Sequence, residues 1–283
     1  MKYLIVAIAY VIFAPLVGGL LAGIDRKVTA RMQNRVGPPI VQPFYDVGKL
    51  FAKQNIVANR LQNPFAICYL VFAVFTGFLF FEGSNILLII FVLTVSSVFL
   101  VLAAYSANSP YSYVGAEREL LLIMAYEPMV IVTLVGFYKV AHSFVFYTLI
   151  SSGHVMIAYL PAIFLGLLVI LGMKFRKSPF DISFSHHAHQ ELVKGITTDF
   201  TGKTLALVEI AHWYETVYLL GIVYIFFSWN VPLGIVLTLL VYLLEILVDN
   251  ATVRAKWDFV LKSGWGVTLI LGFTNLIPLY VRF

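Results

Sequence analysis

Three titratable residues, Glu209, His212 and Glu215, follow one another at intervals of three in the run LALVEIAHWYETVYLL. Helical pitch places them within about a third of the circumference. Asp, Glu and His on one stripe of an apolar helix are the chemistry of a proton relay. Glu127 lies in another apolar run, within Tyr126-Glu127-Pro128. A carboxylate at that depth is costly and by default faces a bundle interior or a water-filled cavity; the plainer alternative is a satisfied interhelical hydrogen bond. Pro128 removes a backbone donor and tends to kink its helix. In a third apolar run Glu245 and Asp249 stand one turn apart and extend the path, unless Asp249 only marks the end of its helix.

A polar interruption from Met173 to Thr204 separates two long apolar runs. It carries Asp181, Glu191 and Asp199, the cations Lys174, Arg176, Lys177, Lys194 and Lys203, and three of the six histidines, His186, His187 and His189, in a chain only 12% charged. Histidine, with an unperturbed pKa of roughly 6.5, suits a point of proton entry. Hydrogen bonding to a neighbouring protein is an equal alternative for the same residues. Imidazole is also the commonest metal ligand, but with no cysteine in the run and no HExxH spacing, no metal is expected in this chain.

The elements that position these residues follow from composition. With 61% hydrophobic and 16% aromatic residues and a mean hydropathy of +0.92, the chain lies outside the range of soluble domains and reads as an integral membrane protein. Residues 1–24 hold one lysine and no small-residue cleavage pattern, so they read as a first transmembrane helix, not a cleavable signal. Cys68, alone in an apolar run, falls short of the four thiolates an iron–sulfur cluster usually takes. Any redox metal is therefore expected in another chain.

Spanning helices need roughly 20 apolar residues. Eight segments qualify, near 3–24, 63–81, 85–107, 120–140, 155–173, 205–228, 231–249 and 264–281, in a single all-α membrane domain over 1–283. The gaps 25–62, 108–119, 174–204 and 250–263 hold 7, 1, 5 and 3 of the 19 lysines and arginines, 16 in all. The positive-inside bias makes these four gaps cytoplasmic and puts both termini outside, in a multi-pass protein of the cell (plasma) membrane. Within 25–62, Val41, Phe44, Val47, Leu50 and Phe51 recur at helical spacing opposite Asp46, Lys49 and Lys53, which predicts an amphipathic helix in the membrane interface. The gap at 108–119, with Glu117 and Glu119 flanking Arg118, predicts a structured turn, and Glu82 a solvated outer turn.

Four stretches, DRKVTARMQNRVGPP, YVGAERELLLIMAYEP, SPFD followed by QELVKGITTDFTG, and DNATVRAKWDFVLKSGW, resemble in order the H-subunit family of respiratory complex I and of the related membrane-bound nickel–iron (NiFe) hydrogenases. The resemblance covers essentially the whole chain. It departs from quinone-reducing members after Pro179-Phe180-Asp181, where a glutamate-rich run is replaced by Ser183-Phe184-Ser185-His186-His187-Ala188-His189-Gln190-Glu191. It departs again at Ala211-His212-Trp213, where the family has Ala-Glu-Tyr. Both runs look like the energy-converting, Ech-type hydrogenase branch, which puts a quinone site in doubt.

The resemblance implies a bundle of tilted helices beneath a hydrophilic electron-transfer arm, beside antiporter-like membrane subunits. It matches Arg26, Arg31, Arg35, Gly37 and Pro38 to the loop that packs under the arm, and Arg118 and Glu127 to the fourth-helix motif, Glu127 in a carboxylate path. It matches Asp181, Glu191 and Asp199 to the acidic positions of the central loop, with Asp199 standing where the family usually has Glu. The expected function is a non-catalytic membrane-anchoring and coupling subunit of a ferredoxin-linked hydrogenase, joining proton reduction or H2 oxidation to H+ or Na+ translocation. A NiFe centre and 4Fe-4S clusters belong to its partners, the hydrogenase large and small subunits and an iron–sulfur subunit. Rival readings are a complex I subunit with a quinone site and an independent ion transporter, for which no internal repeat is visible.

Overall fold

The computed structural model describes residues 2–56, 59–151, 155–183 and 194–282. The helices begin with α1 (Lys2–Met32), α2 (Gln42–Ala52), α3 (Gln62–Glu82), α4 (Ile86–Tyr105) and α5 (Pro110–Ala141). Two short helices follow, α6 (Phe146–Ser151) and α7 (Met156–Tyr159), then α8 (Pro161–Lys174), α9 (Gly202–Phe226) and α10 (Val231–Ala251). Last, α11 (Trp257–Val267) runs through a π turn, Thr268–Gly272, into α12 (Phe273–Arg282). An isolated β bridge joins Asn85 and Val145.

Local chemistry sets several boundaries. Gly83 ends α3 in a left-handed conformation, φ 90°, and Asn85 opens α4 by accepting a hydrogen bond from Leu87 N at 3.0 Å. Pro110 stands first in α5, where its missing N–H is no loss.

Among the described residues seven helices are long and apolar enough to cross a membrane: α1, α3, α4, α5, α9, α10 and the continuous α11–α12. The segment expected to span at 155–173 is instead broken at Leu160, leaving α8 with 14 residues. At 1.5 Å per residue it reaches about 21 Å, short of a hydrocarbon core of about 30 Å. The break is tolerated because Asn275 of α12 repairs it: its Oδ1 accepts from Ala162 N (3.0 Å) and Ile163 N (3.2 Å), and its Nδ2 donates to Tyr159 O (2.9 Å).

Other expectations are also corrected. The predicted turn at 108–119 is helical from Pro110 onward, because the helical face of α5 continues through Gly115, Ala116 and Glu119, all buried. The predicted cytoplasmic gap 250–263 shrinks to 252–256, since α10 runs to Ala251 and α11 starts at Trp257. Glu82 is the last residue of α3, half-buried, and accepts from Ser84 Oγ at 3.4 Å. The predicted amphipathic helix is α2, which lays Phe44, Val47 and Leu50 against Ala206, Ile210 and Trp213 of α9.

Helix α9 stands at the centre, packed against α1, α2, α3 and α10, while α4 joins α3 to α5, and α5 carries α8 and α11. Backbones approach closely where small residues permit: a Cβ on Gly18 of α1 would lie 2.5 Å from Trp213 O of α9. The described parts of the loop after α8 are pinned onto α5 in the same way. There a Cβ on Gly115 would lie 2.4 Å from Ile196 N, and Ile196 N donates to Ser183 O at 2.9 Å. Gly115→Ala is therefore expected to cost about 1–3 kcal/mol by overpacking, read as earlier unfolding in detergent. Gly48→Ala in α2, where nothing lies within 4 Å, is the control that should not fall.

Candidate functional site

The C-terminal turn of α8 builds the site. The left-handed position that ends a helix usually takes glycine, yet here it is Arg176, with φ 51°. Its amide donates to Met173 O at 3.1 Å and Lys177 N donates to Gly172 O at 3.0 Å. The tight turn folds the guanidinium back into the bundle. A non-glycine residue there costs of order 1–3 kcal/mol, strain of the kind stored at functional sites.

Around Arg176 the bundle closes an alternating set of charges. Its Nη2 and Nε donate to Glu119 of α5 at 2.7 and 3.2 Å, and Ser183 Oγ donates to the same carboxylate at 2.5 Å. Its Nη1 donates to Nδ1 of His212 at 3.0 Å. The Tyr69 hydroxyl of α3 lies 3.0 Å from that Nδ1 and 3.3 Å from Oε2 of Glu215. Lys174 Nζ is 3.3 Å from Glu215 Oε1, 3.3 Å from Ser97 Oγ of α4, and 4.3 Å above the Tyr126 ring. Glu119, Lys174, Arg176, Ser183 and Glu215 are all buried. Such charges persist only when paired and hydrogen-bonded. Burial opposes the charge on Arg176, but the Glu119 carboxylate beside it outweighs that and holds the guanidinium protonated well above its ordinary range.

On α4, Thr94 lies three residues before Ser97, about one turn, and donates to Glu127 Oε1 at 3.0 Å. A cavity of about 40 Å³ between these helices is lined by Leu93, Val130, Thr133 and Lys174. Apart from Thr133, Lys174 and Tyr218 its lining is apolar, so it separates the charged row from lipid and does not itself hold a chain of polar partners. The alternation thus runs from Glu119 to Lys174 and Ser97, with Glu127 beside the next turn.

The sequence-predicted residues fall into separate groups. His212 and Glu215 meet in the network, but Glu209, on the same helix, instead lines a cavity beside α2. Asp181 pairs with Arg254 at 2.6 Å, and Asp199 accepts from Ser112 Oγ at 2.5 Å. Asp249 accepts from Ser178 N at 2.8 Å. Glu245, which is buried, stands one turn before the half-buried Asp249, with Oε2 close to Gly172. Lys177, in the same turn as Arg176, pairs with Asp25 at 2.7 Å and faces the Tyr242 ring. Glu191, His186, His187 and His189 lie outside the described residues. Among the described residues no group of three or more His, Cys, Asp or Glu is placed to hold a metal ion.

Of the residues expected at a docking surface, Arg26, Arg31, Arg35 and Arg118 are exposed. Arg26 pairs with Asp46 of α2 at 2.6 Å, Arg35 bonds Gln33, and Arg118 donates to Ile182 O at 3.2 Å. Partial burial pushes the Asp46 carboxyl up, but hydrogen bonds from Arg26 and Gln42 outweigh it and hold it below the usual range. Gly37, at φ 74°, turns the chain toward Pro38.

Sequence reasoning missed Glu119, Tyr69, and the roles of Lys174 and Arg176. For Glu119 a signal existed. Counting helical turns back from Tyr126 through Leu122 and Ile123 reaches Glu119 on the same buried face. Nothing in the sequence pointed to Tyr69.

A family model described as NADH dehydrogenase matches residues 4–280. The chain belongs to that family. It is 30% identical to the hydrogenase-4 component C of Escherichia coli, over 73% of this chain and 70% of the relative. It is 25% identical to the H subunit of NADH-quinone oxidoreductase from Dehalococcoides mccartyi, over 97% of this chain and 84% of the relative. The fold matches a chain of the membrane-bound sulfane sulfur reductase, an archaeal respiratory membrane complex, with a TM-score of 0.86 at 24% identity, covering 99% of this chain and all of that one. As a family member with seven membrane-length helices, the chain is a multi-pass membrane subunit of the complex I-related type.

Proposed function

We propose that this protein couples redox chemistry in a peripheral hydrogenase module to movement of H+ or Na+ through an adjoining antiporter-like membrane module. The observation that carries the proposal is the largely buried row of hydrogen-bonded polar and charged groups from Glu119 through Arg176, His212, Tyr69 and Glu215 to Lys174. One end of it is held by the loop that faces a peripheral arm in this reading, and at the other Lys174 bonds Ser97, one turn of α4 from Thr94, the partner of Glu127.

In a low-dielectric bundle the members of such a row respond strongly to each other's charge. The Tyr69 hydroxyl donates to Glu215 and lies against Nδ1 of His212, whose single lone pair Arg176 also approaches. A proton taken up at the loop changes the balance of these bonds, and the change passes through Lys174 toward Glu127. The hydrogenase branch is supported by the likeness to a hydrogenase-4 component and by the His186, His187 and His189 run. A NiFe centre, 4Fe-4S clusters and the reaction with ferredoxin belong in this reading to the hydrogenase large and small subunits and an iron–sulfur subunit, since this chain offers only Cys68. The likeness to the NADH-quinone oxidoreductase relative across nearly the whole chain favours a quinone-reducing complex as the second reading.

The test is purification of the intact membrane complex, with H2 evolution from reduced ferredoxin and ion uptake measured in vesicles. Nickel in the complex and ferredoxin-driven H2 evolution support the first reading; quinone reduction without nickel supports the second. Glu127→Gln is expected to lower ion uptake about a hundredfold or more, the range for loss of a proton-transfer group, while leaving assembly intact. Undiminished uptake removes Glu127 from the path.

A further inference from the structure

A second, larger cavity, of about 250 Å³, opens between α2, α9 and the cytoplasmic end of α1, away from the buried charge network. Its inner wall is apolar, made by Pro43, Val47, Leu50 and Trp213, with Trp213 packed edge-on against Phe44 at 5.2 Å. Its outer wall is basic. Lys49 in the last turn of α2 and Lys53 just beyond its end, both exposed, line it. The Arg26 guanidinium at the same wall is already neutralised by Asp46 at 2.6 Å, and Glu209 is the other carboxylate in the lining.

An apolar wall inside and a cationic rim outside, on an amphipathic helix beside membrane-spanning α1 and α9, is complementary to one class of molecule: an amphiphile with an anionic head. The rim suits a phosphate-bearing head group and the apolar inner wall its glycerol and first acyl carbons, the chains continuing outward beside the spans. Neutral amphiphiles gain only the apolar wall. Free phosphate gains only the rim, which solvent screens.

We infer that this cavity is a binding site for the head group of an anionic glycerophospholipid, with Lys49 and Lys53 meeting the phosphate and Trp213 flooring the site. The lipid would lock α2 against α9 and so fix the base of the loop that leads to α2.

The experiment uses the intact complex, or the full chain if it is isolated alone, in nanodiscs containing brominated phosphatidylglycerol or brominated phosphatidylcholine at equal mole fraction. Tryptophan fluorescence reports proximity of the bromine. Quenching is expected to be greater with the anionic lipid, and the excess should vanish in Trp213→Phe, which removes the reporter and keeps a ring. Lys49→Gln with Lys53→Gln should weaken the preference about thirtyfold, from two lost lysine contacts at an anionic lipid, while circular dichroism stays unchanged. Equal quenching by both lipids, or an excess that survives in Trp213→Phe, overturns the assignment. So does an anionic preference that the lysine variants leave intact. Inorganic phosphate that removes the excess at millimolar concentration would show a phosphate site and not a lipid site.

Discussion

Arg176→Leu is expected to destabilise the protein by about 3–5 kcal/mol, the cost of stranding one partner of a buried ion pair. Glu119 would keep only the Ser183 hydroxyl, at 2.5 Å, while Arg176 now supplies it with hydrogen bonds through both Nε and Nη2. Arg176→Gly removes the same charge but relieves the left-handed backbone, φ 51°, so it should cost about 1 kcal/mol less. The Arg176→Leu, Glu119→Gln double variant should recover part of the loss, because neither charge is then left alone. Unfolding in mixed micelles titrated with a denaturing detergent measures all three. A loss below about 1 kcal/mol for Arg176→Leu, the range of exposed pairs, would mean the pair is solvated.

The second large effect is on coupling. Glu215→Gln leaves Lys174 without its carboxylate and the Tyr69 hydroxyl with one fewer charged acceptor. Redox-driven ion uptake into vesicles should fall about a hundredfold or more, the range for loss of a proton-transfer group. Turnover of the peripheral module should continue, uncoupled. Tyr69→Phe, which removes only the bridging hydroxyl, should fall between Glu215→Gln and the parent protein. Glu82→Gln, at the end of α3 and outside the network, should leave uptake unchanged. Uptake by Glu215→Gln equal to that of the parent protein would refute a transfer role for the network.

The same residues explain how much could be read in advance. The membrane class, the apolar segments and α2 were legible because burial in lipid demands long apolar runs and an interfacial helix demands a 3.6-residue stripe, and both are one-dimensional patterns. His212 and Glu215 were legible because a titratable residue in such a run is costly enough to require a reason. The short α8 was not, since what replaces its missing length is Asn275, more than a hundred residues away. The extension of α5 back to Pro110 was hidden by polar residues that look like a turn until the loop after α8 covers them.

The sequence by itself determined that this chain lies in a membrane, which family it resembles, and that acids and a histidine sit on α9. Only the tertiary structure decided which charges are partners. It took Glu119 out of an apparent turn and set it on Arg176, separated Glu209 from His212 and Glu215, and brought Tyr69 between the latter two. The reason is physical: an ion pair depends on the distance between two side chains and the water excluded around them. Neither quantity is a property of spacing along the chain when the partners come from α3, α5, α8 and α9.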